Sequence, residues 1–211
     1  CNGRSESDLF YLADHEIGHS WFPMLINNDE RRHAWMDEGF NTFYDHYSKI
    51  DYYKGDESKN APLHYNTKRY VNLDTPVNTP ADHLKSRGHL SYHKPAYGLR
   101  LLREEIMGED RFDFAFREYV KRWVFKSPRP ADFYRTMEDA SGMDLQWFFR
   151  GFFEEALMLD QAVVEVTQKN DDEFWDVTVK LQNNQEWVCP VDLTITCSDG
   201  SKHIYLLPES I

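Results

Sequence analysis

Three cysteines among 211 residues leave little for a disulfide framework or a cysteine metal site. Cys189 and Cys197 stand eight residues apart in one apparent strand, about 26 Å at ~3.3 Å per residue and far beyond the reach of a bridge. Cys1 has no evident mate. Basic residues are also scarce: 24 Lys and Arg against 36 Asp and Glu give a net charge of −12. That balance argues against nucleic acid and anionic membrane as partners, which need Lys/Arg-rich surfaces, and reads as solubility. No run of about 18 apolar residues is present to span a membrane. The chain opens on Cys1 rather than Met, with no charged-then-apolar leader. It is therefore expected to be a fragment or a processed product that has lost its targeting segment.

What is present is a globular composition, 41% hydrophobic and 15% aromatic, enough for one substantial core. Ser5 or Ser7 can cap a first helix running to about Trp21. Phe10, Ala13, Ile17 and Trp21 recur on one side, and Leu12 and Phe22 flank the other. Apolar on two faces, this helix is expected to be buried. A second helix is expected from Trp35 through Asp45, burying Phe40, Phe43, Tyr44 and Tyr47, with Gly39 allowing close helix–helix approach. Residues 51–90 read as loop with one or two short helices. Further helices follow: Pro95, Leu99, Leu102 and Ile106 to a stop at Gly108, then Phe112 to Trp123, then Pro130 to Gly142. Asp144 can cap one more, through Trp147, Phe148 and Phe152. After about Asp160 the period changes to that of strands, over 162–166, 174–181, 188–197 and 203–207. Asn170-Asp171-Asp172 and Gln182 to Gln185 read as turns, and Asp199-Gly200 is the strongest hairpin signal. The fold class expected is α+β: a helical domain over 1–158, then a small antiparallel, sandwich-like β segment over 159–211.

The first helix carries Asp14-His15-Glu16-Ile17-Gly18-His19. His15 and His19 lie one turn apart on one face, so both can reach one metal ion. Glu16, rotated by about 100°, stands beside them as a base. A zinc hydrolase needs a third protein ligand and an open fourth position. Glu38, after an eighteen-residue gap from His19, supplies it from the neighbouring helix. Asp45 falls about two turns further along the same face, placed to hold the outer nitrogen of His15 or His19. His33, His46, His83, His89 and His93 are read as structural or solvated.

The His-Glu-Ile-Gly-His stretch, the eighteen-residue gap and Asp37-Glu38-Gly39-Phe40 resemble the M1 family of zinc metallopeptidases, gluzincins that include many aminopeptidases and the leukotriene A4 hydrolases. Trp21-Phe22, Tyr92-His93-Lys94 and Ser141-Gly142-Met143-Asp144-Leu145 extend the match over about residues 8 to 165. The resemblance implies a thermolysin-like catalytic domain, of which this chain would hold the C-terminal part. It implies one zinc per chain held by His15, His19 and Glu38, and a peptide or protein substrate. Glu16 becomes general base, then proton donor to the leaving amine, and Tyr92 the donor that stabilises the oxyanion. The wording around Trp21-Phe22-Pro23-Met24 and Trp35 to Phe43 is similar to bacterial, often exported, relatives, which favours an exported, periplasmic or cell-envelope location.

The segment by which the family's aminopeptidases grip a free amino terminus lies upstream of the zinc motif and is not in this chain, nor is the N-terminal domain that walls the cleft. Exopeptidase and endopeptidase readings therefore stand level. Two other functions are set beside peptide hydrolysis: a zinc-bound binding or scaffold domain without turnover, and hydrolysis of a non-peptide substrate.

Overall fold

Two residues decide where the first helix begins. Ser5 Oγ accepts from the Asp8 backbone N–H at 3.2 Å, and the Asp8 carboxylate accepts from the Ser5 N–H at 3.2 Å. This capping box selects Ser5 over Ser7 as cap and starts α1 (Glu6–Gly18). The computed structural model describes residues 5–54, 75–170 and 174–207. Cys1, Asp171, Asp172 and the 55–74 part of the expected loop lie outside the described residues. The chain divides into two compact units, Cys1–Ala156 and Leu157–Ile211, the first helical and the second β, an α+β fold.

α1 departs from its expectation twice. It ends at Gly18 rather than Trp21, because the Gly18 carbonyl accepts from the Trp21 and Phe22 N–H groups and the chain turns there. It is also not a buried helix: His15 is its buried residue, while Ile17 is 61% exposed and Trp21, just beyond, 53%. α1 packs one stripe onto α2, while Leu9, Leu12 and Ile17 stay exposed among the described residues.

α2 (Trp35–Tyr53) runs past Asp45 and ends where Lys54 takes a left-handed conformation. Phe40 is fully buried among Trp35, Phe116 and Phe133, with ring centroids at 5.2–5.6 Å. Phe43 is buried with it, Tyr47 is half-buried, and Tyr44, expected inside, is 43% exposed. The cause is rotation around the helix: Tyr44 lies toward the open groove beside α1, lined also by Ile17 and Trp21. At Gly39 a Cβ would stand 2.7 Å from Pro95 Cγ, so the missing side chain does permit close approach of the next helix.

That helix is one continuous run with a wide turn at each end. Gly88–His93 is π-wound, α3 (Lys94–Leu101) is regular, and Leu102–Ile106 is π-wound again. Pro95, Leu99 and Leu102 are buried and Ile106 half-buried. Gly108, at φ +78°, breaks the run before α4 (Glu109–Trp123). α5 (Pro130–Ser141) ends at Gly142 in the left-handed region. Asp144 Oδ1 accepts from the Gln146 N–H at the start of α6 (Gln146–Phe149), which continues as a π turn over Arg150–Glu154.

In the β unit, β1 (Gln161–Asn170) pairs antiparallel with β2 (Trp175–Asn183), with a register irregularity between Val163 and Glu165. β3 (Val191–Thr196) pairs with β4 (Lys202–Leu207) around Gly200 at φ +85°. These are two separate two-stranded sheets. β3 is shorter than expected, so Cys189 and Cys197 flank it rather than lie within it, and both are free thiols. No described helix is long and apolar enough to cross a membrane.

Candidate metal centre

α1 and α2 present three donors to one point. Nitrogens of His15 and His19 and a carboxylate oxygen of Glu38 all lie within 4.8 Å of one another, the metal-capable group found among the described residues. Glu38 Oε2 is the hub, 3.1 Å from His15 Nε2 and 3.5 Å from His19 Nε2. Donors placed tetrahedrally at 2.0–2.1 Å from zinc sit about 3.3–3.4 Å apart. The observed separations bracket that value, so these residues fit the ion.

The other nitrogen of each ring is held from outside. His15 Nδ1 donates to Asp45 Oδ2 at 2.8 Å in a buried contact. His19 Nδ1 lies 2.9 Å from the Phe22 carbonyl and 2.8 Å from Asp37 Oδ1. Asn41 Nδ2 also approaches it, at 2.7 Å, but donates to the Phe22 carbonyl at 2.7 Å and the Asp37 carbonyl at 3.1 Å. Those two bonds engage both amide hydrogens of Asn41, which leaves His19 Nδ1 as the donor. Both rings are thus oriented with Nδ1–H outward and Nε2 toward Glu38, the orientation in which Nε2, once deprotonated, can bind a metal.

The electrostatics agree with a site for a cation. Hydrogen bonding to Asp45, then to Glu38, pushes His15 up to about 10, so both carboxylates draw positive charge onto the ring. Burial works to raise Glu38, but hydrogen bonds from His15 and Tyr92 outweigh it and hold the carboxylate below its usual range. Asp37 is pushed up to about 7, first by burial and then by the charge of Glu38. The cluster has more carboxylate than its two imidazoles balance.

Of the residues singled out from sequence, the structure brings together His15, His19 and Glu38, with Asp45 behind His15. Tyr92, in the π turn before α3, joins them: its hydroxyl donates to Glu38 Oε1, and its ring stacks on His15 at 5.7 Å. Burial, then the Glu38 bond, raises the phenol above its ordinary value, so it stays a proton donor at neutral pH. Glu16 is exposed and is not part of the three-residue cluster. His33 bonds to Asn78 at 2.7 Å, away from the centre. Sequence reasoning missed Asp37 and Asn41. Their signal was position: they precede Glu38 by one residue and follow it by three, on the turn of α2 that meets the histidines. Gly18 makes room for Asn41, since a Cβ there would stand 2.6 Å from Asn41 Oδ1.

Residues 2–152 match the family model of the Peptidase family M1 domain. Aminopeptidase M1-C of Oryza sativa is 23% identical over 205 residues, covering 91% of this chain and 23% of its own length. Glutamyl aminopeptidase of Sus scrofa is 26% identical over 145 residues, 64% of this chain and 15% of its own. Aminopeptidase A of Legionella pneumophila, solved in complex with aspartic acid, shares the fold at a TM-score of 0.62 and 17% identity, over 93% of this chain and 23% of that one. A mutant M1 zinc metallopeptidase of Deinococcus radiodurans does so at 0.55 and 19%, over 67% and 32%. This chain spans about a quarter or less of the curated relatives named. With more than half its length inside the family model, it belongs to peptidase family M1.

Proposed function

We propose that this chain carries the zinc-binding part of a peptidase that hydrolyses peptide bonds, with His15, His19 and Glu38 as ligands. The observation that carries the reading is the pair of anchored imidazoles, both turning Nε2 onto one oxygen of Glu38. Zinc bound there would supply the positive charge that polarises a carbonyl and acidifies water. The residues do the rest. Glu16 takes the proton of the attacking water and hands it to the leaving amine, a role that suits a solvent-facing carboxylate beside the ligands. Tyr92 turns its hydroxyl from Glu38 to the developing oxyanion, a donation typically worth ~10²–10³ in rate. Asp45, Asp37 and the Phe22 carbonyl keep the two imidazoles oriented.

Aminopeptidase action is the finer form of this reading, supported by the names of the relatives. Those names also include mitochondrial and membrane aminopeptidases, so they favour no single compartment for this chain. The test has two stages. Loaded and dialysed protein is expected to hold about one zinc per chain by elemental analysis, and Glu38→Gln to lose it; a chain without zinc overturns the reading. A panel of aminoacyl and internally quenched peptides, run on the full-length protein because the isolated chain is not expected to suffice for turnover, then reports hydrolysis, which Glu16→Gln should abolish while zinc stays bound. Unchanged turnover in that variant removes Glu16 from its role. Zinc without turnover on either substrate class selects the scaffold function.

A further inference from the structure

The cluster around Glu38 holds more carboxylate than its two imidazoles balance, and the chain as a whole carries a net charge of −12. A substrate carboxylate is repelled from such a site unless a fixed cation receives it. Arg87 is placed to be that cation. It stands at the head of the π-wound turn Gly88–His93, which carries Tyr92. Bonding in a π turn runs between residues i and i+5. Arg87 and Tyr92 are five residues apart, so they leave the chain on nearly the same side. Their closeness shows at the Tyr92 hydroxyl: burial and the Glu38 bond raise it, and the positive charge of Arg87 opposes them. Arg100 and Arg103, further along the same helical run, are engaged by Glu104 and Asp113. The Arg87 side chain is exposed and holds no ion pair or hydrogen bond among the described residues.

In the peptidase reading, the carbonyl oxygen of the cleaved bond comes to the Tyr92 hydroxyl, and a group beside that hydroxyl meets the residue flanking the bond. Resting on that reading, we propose that Arg87 is a specificity-determining residue. It receives a carboxylate on the peptide next to the cleaved bond, from an acidic side chain or a free chain end. The guanidinium fork matches a carboxylate with two parallel hydrogen bonds. Because Arg87 is exposed, the preference over an uncharged counterpart is modest, about tenfold.

Binding without turnover reads this directly. The cleaved bond is first located by mass spectrometry in the full-length protein. With Glu16→Gln in place, amidated peptides bearing Glu beside that bond should bind about tenfold tighter than their Gln twins in calorimetry. Adding Arg87→Gln should bring the ratio close to unity, and Arg87→Glu should invert it. Each ratio is taken on one preparation, so a loss of folded protein cancels from it. A preference for free over amidated Gln peptides, lost in the same variants, assigns the carboxylate to the chain end instead. Ratios near unity in both comparisons with Arg87 intact overturn the proposal, as does a preference that survives Arg87→Gln. If the unaltered protein cleaves no peptide, the peptidase reading falls with it. If it cleaves peptides and shows no preference that depends on Arg87, this inference alone fails.

Discussion

The two helices that carry the candidate ligands are built in opposite ways. α2 turns Trp35, Met36, Phe40 and Phe43 into a dense aromatic core, and its acidic residues look out of that core toward α1. α1 buries one residue, His15, and leaves Leu9, Tyr11, Leu12 and Ile17 between 37% and 61% exposed. One helix is held by hydrophobic burial; among the described residues the other is held by its cap, by Phe10 stacked on Tyr52, by the Ser48–Asp14 bond and by the site itself. The candidate metal centre therefore joins a densely packed helix to a lightly anchored one.

The largest expected effect strikes at the densely packed side. Phe40→Ala should cost about 3–5 kcal/mol in chemical denaturation, since it opens a fully enclosed site. Ile17→Ala should stay within about 0.5 kcal/mol. Equal losses from the two would break the comparison. Next comes the bridge between the helices: Asp45→Ala should weaken zinc binding by about 10–100-fold in competition titrations, because His15 loses the acceptor that fixes its tautomer.

A third prediction concerns the core behind α2. Lys94 is 1% exposed, its ammonium has no hydrogen bond among the described residues, and Phe152 lies 5.3 Å beneath it. Burial pulls it down to about 8 from the ordinary 10.5. Below pH 8 the lysine is charged in folded and unfolded chains alike, and the fold bears the whole cost. From pH 8 to 10.5 the unfolded chain holds more protons, so this contribution to stability rises with pH. Lys94→Met should therefore stabilise by about 1–3 kcal/mol at pH 7, and its advantage should shrink across that window in denaturation series. An advantage independent of pH would show that Lys94 is not the group responsible. The smallest effect belongs to the lightly anchored helix: Ser5→Ala should cost about 1 kcal/mol through loss of the capping box, read as a lowered melting temperature.

The spacing of His15, His19, Glu38 and Asp45 was legible because ligand geometry on two helices is a matter of period alone. The same holds for the stops at Gly108 and Gly142 and the hairpin at Gly200, where positive φ favours glycine. Apolar pattern, by contrast, says which side of α1 is greasy and not whether anything covers it, so its burial was misjudged. Lys94 was invisible for a related reason: a lysine in a helix reads as surface, and only packing shows otherwise. Asp37 and Asn41 were missed because their partners include backbone carbonyls, which no side-chain pattern announces.

One adjacency in α2 has a wider consequence. Glu38 faces the histidines, and Gly39, the very next residue, is where Pro95 closes in. Three residues before that proline stands Tyr92. The glycine thus acts as a spacer gauge of zero thickness between Glu38 and Tyr92. Any side chain there would push the third helix outward and carry the phenol with it, detuning the site without altering one residue that touches it. Selection or design could adjust the reach of Tyr92 in steps of a single methyl group, from a position outside the cluster itself.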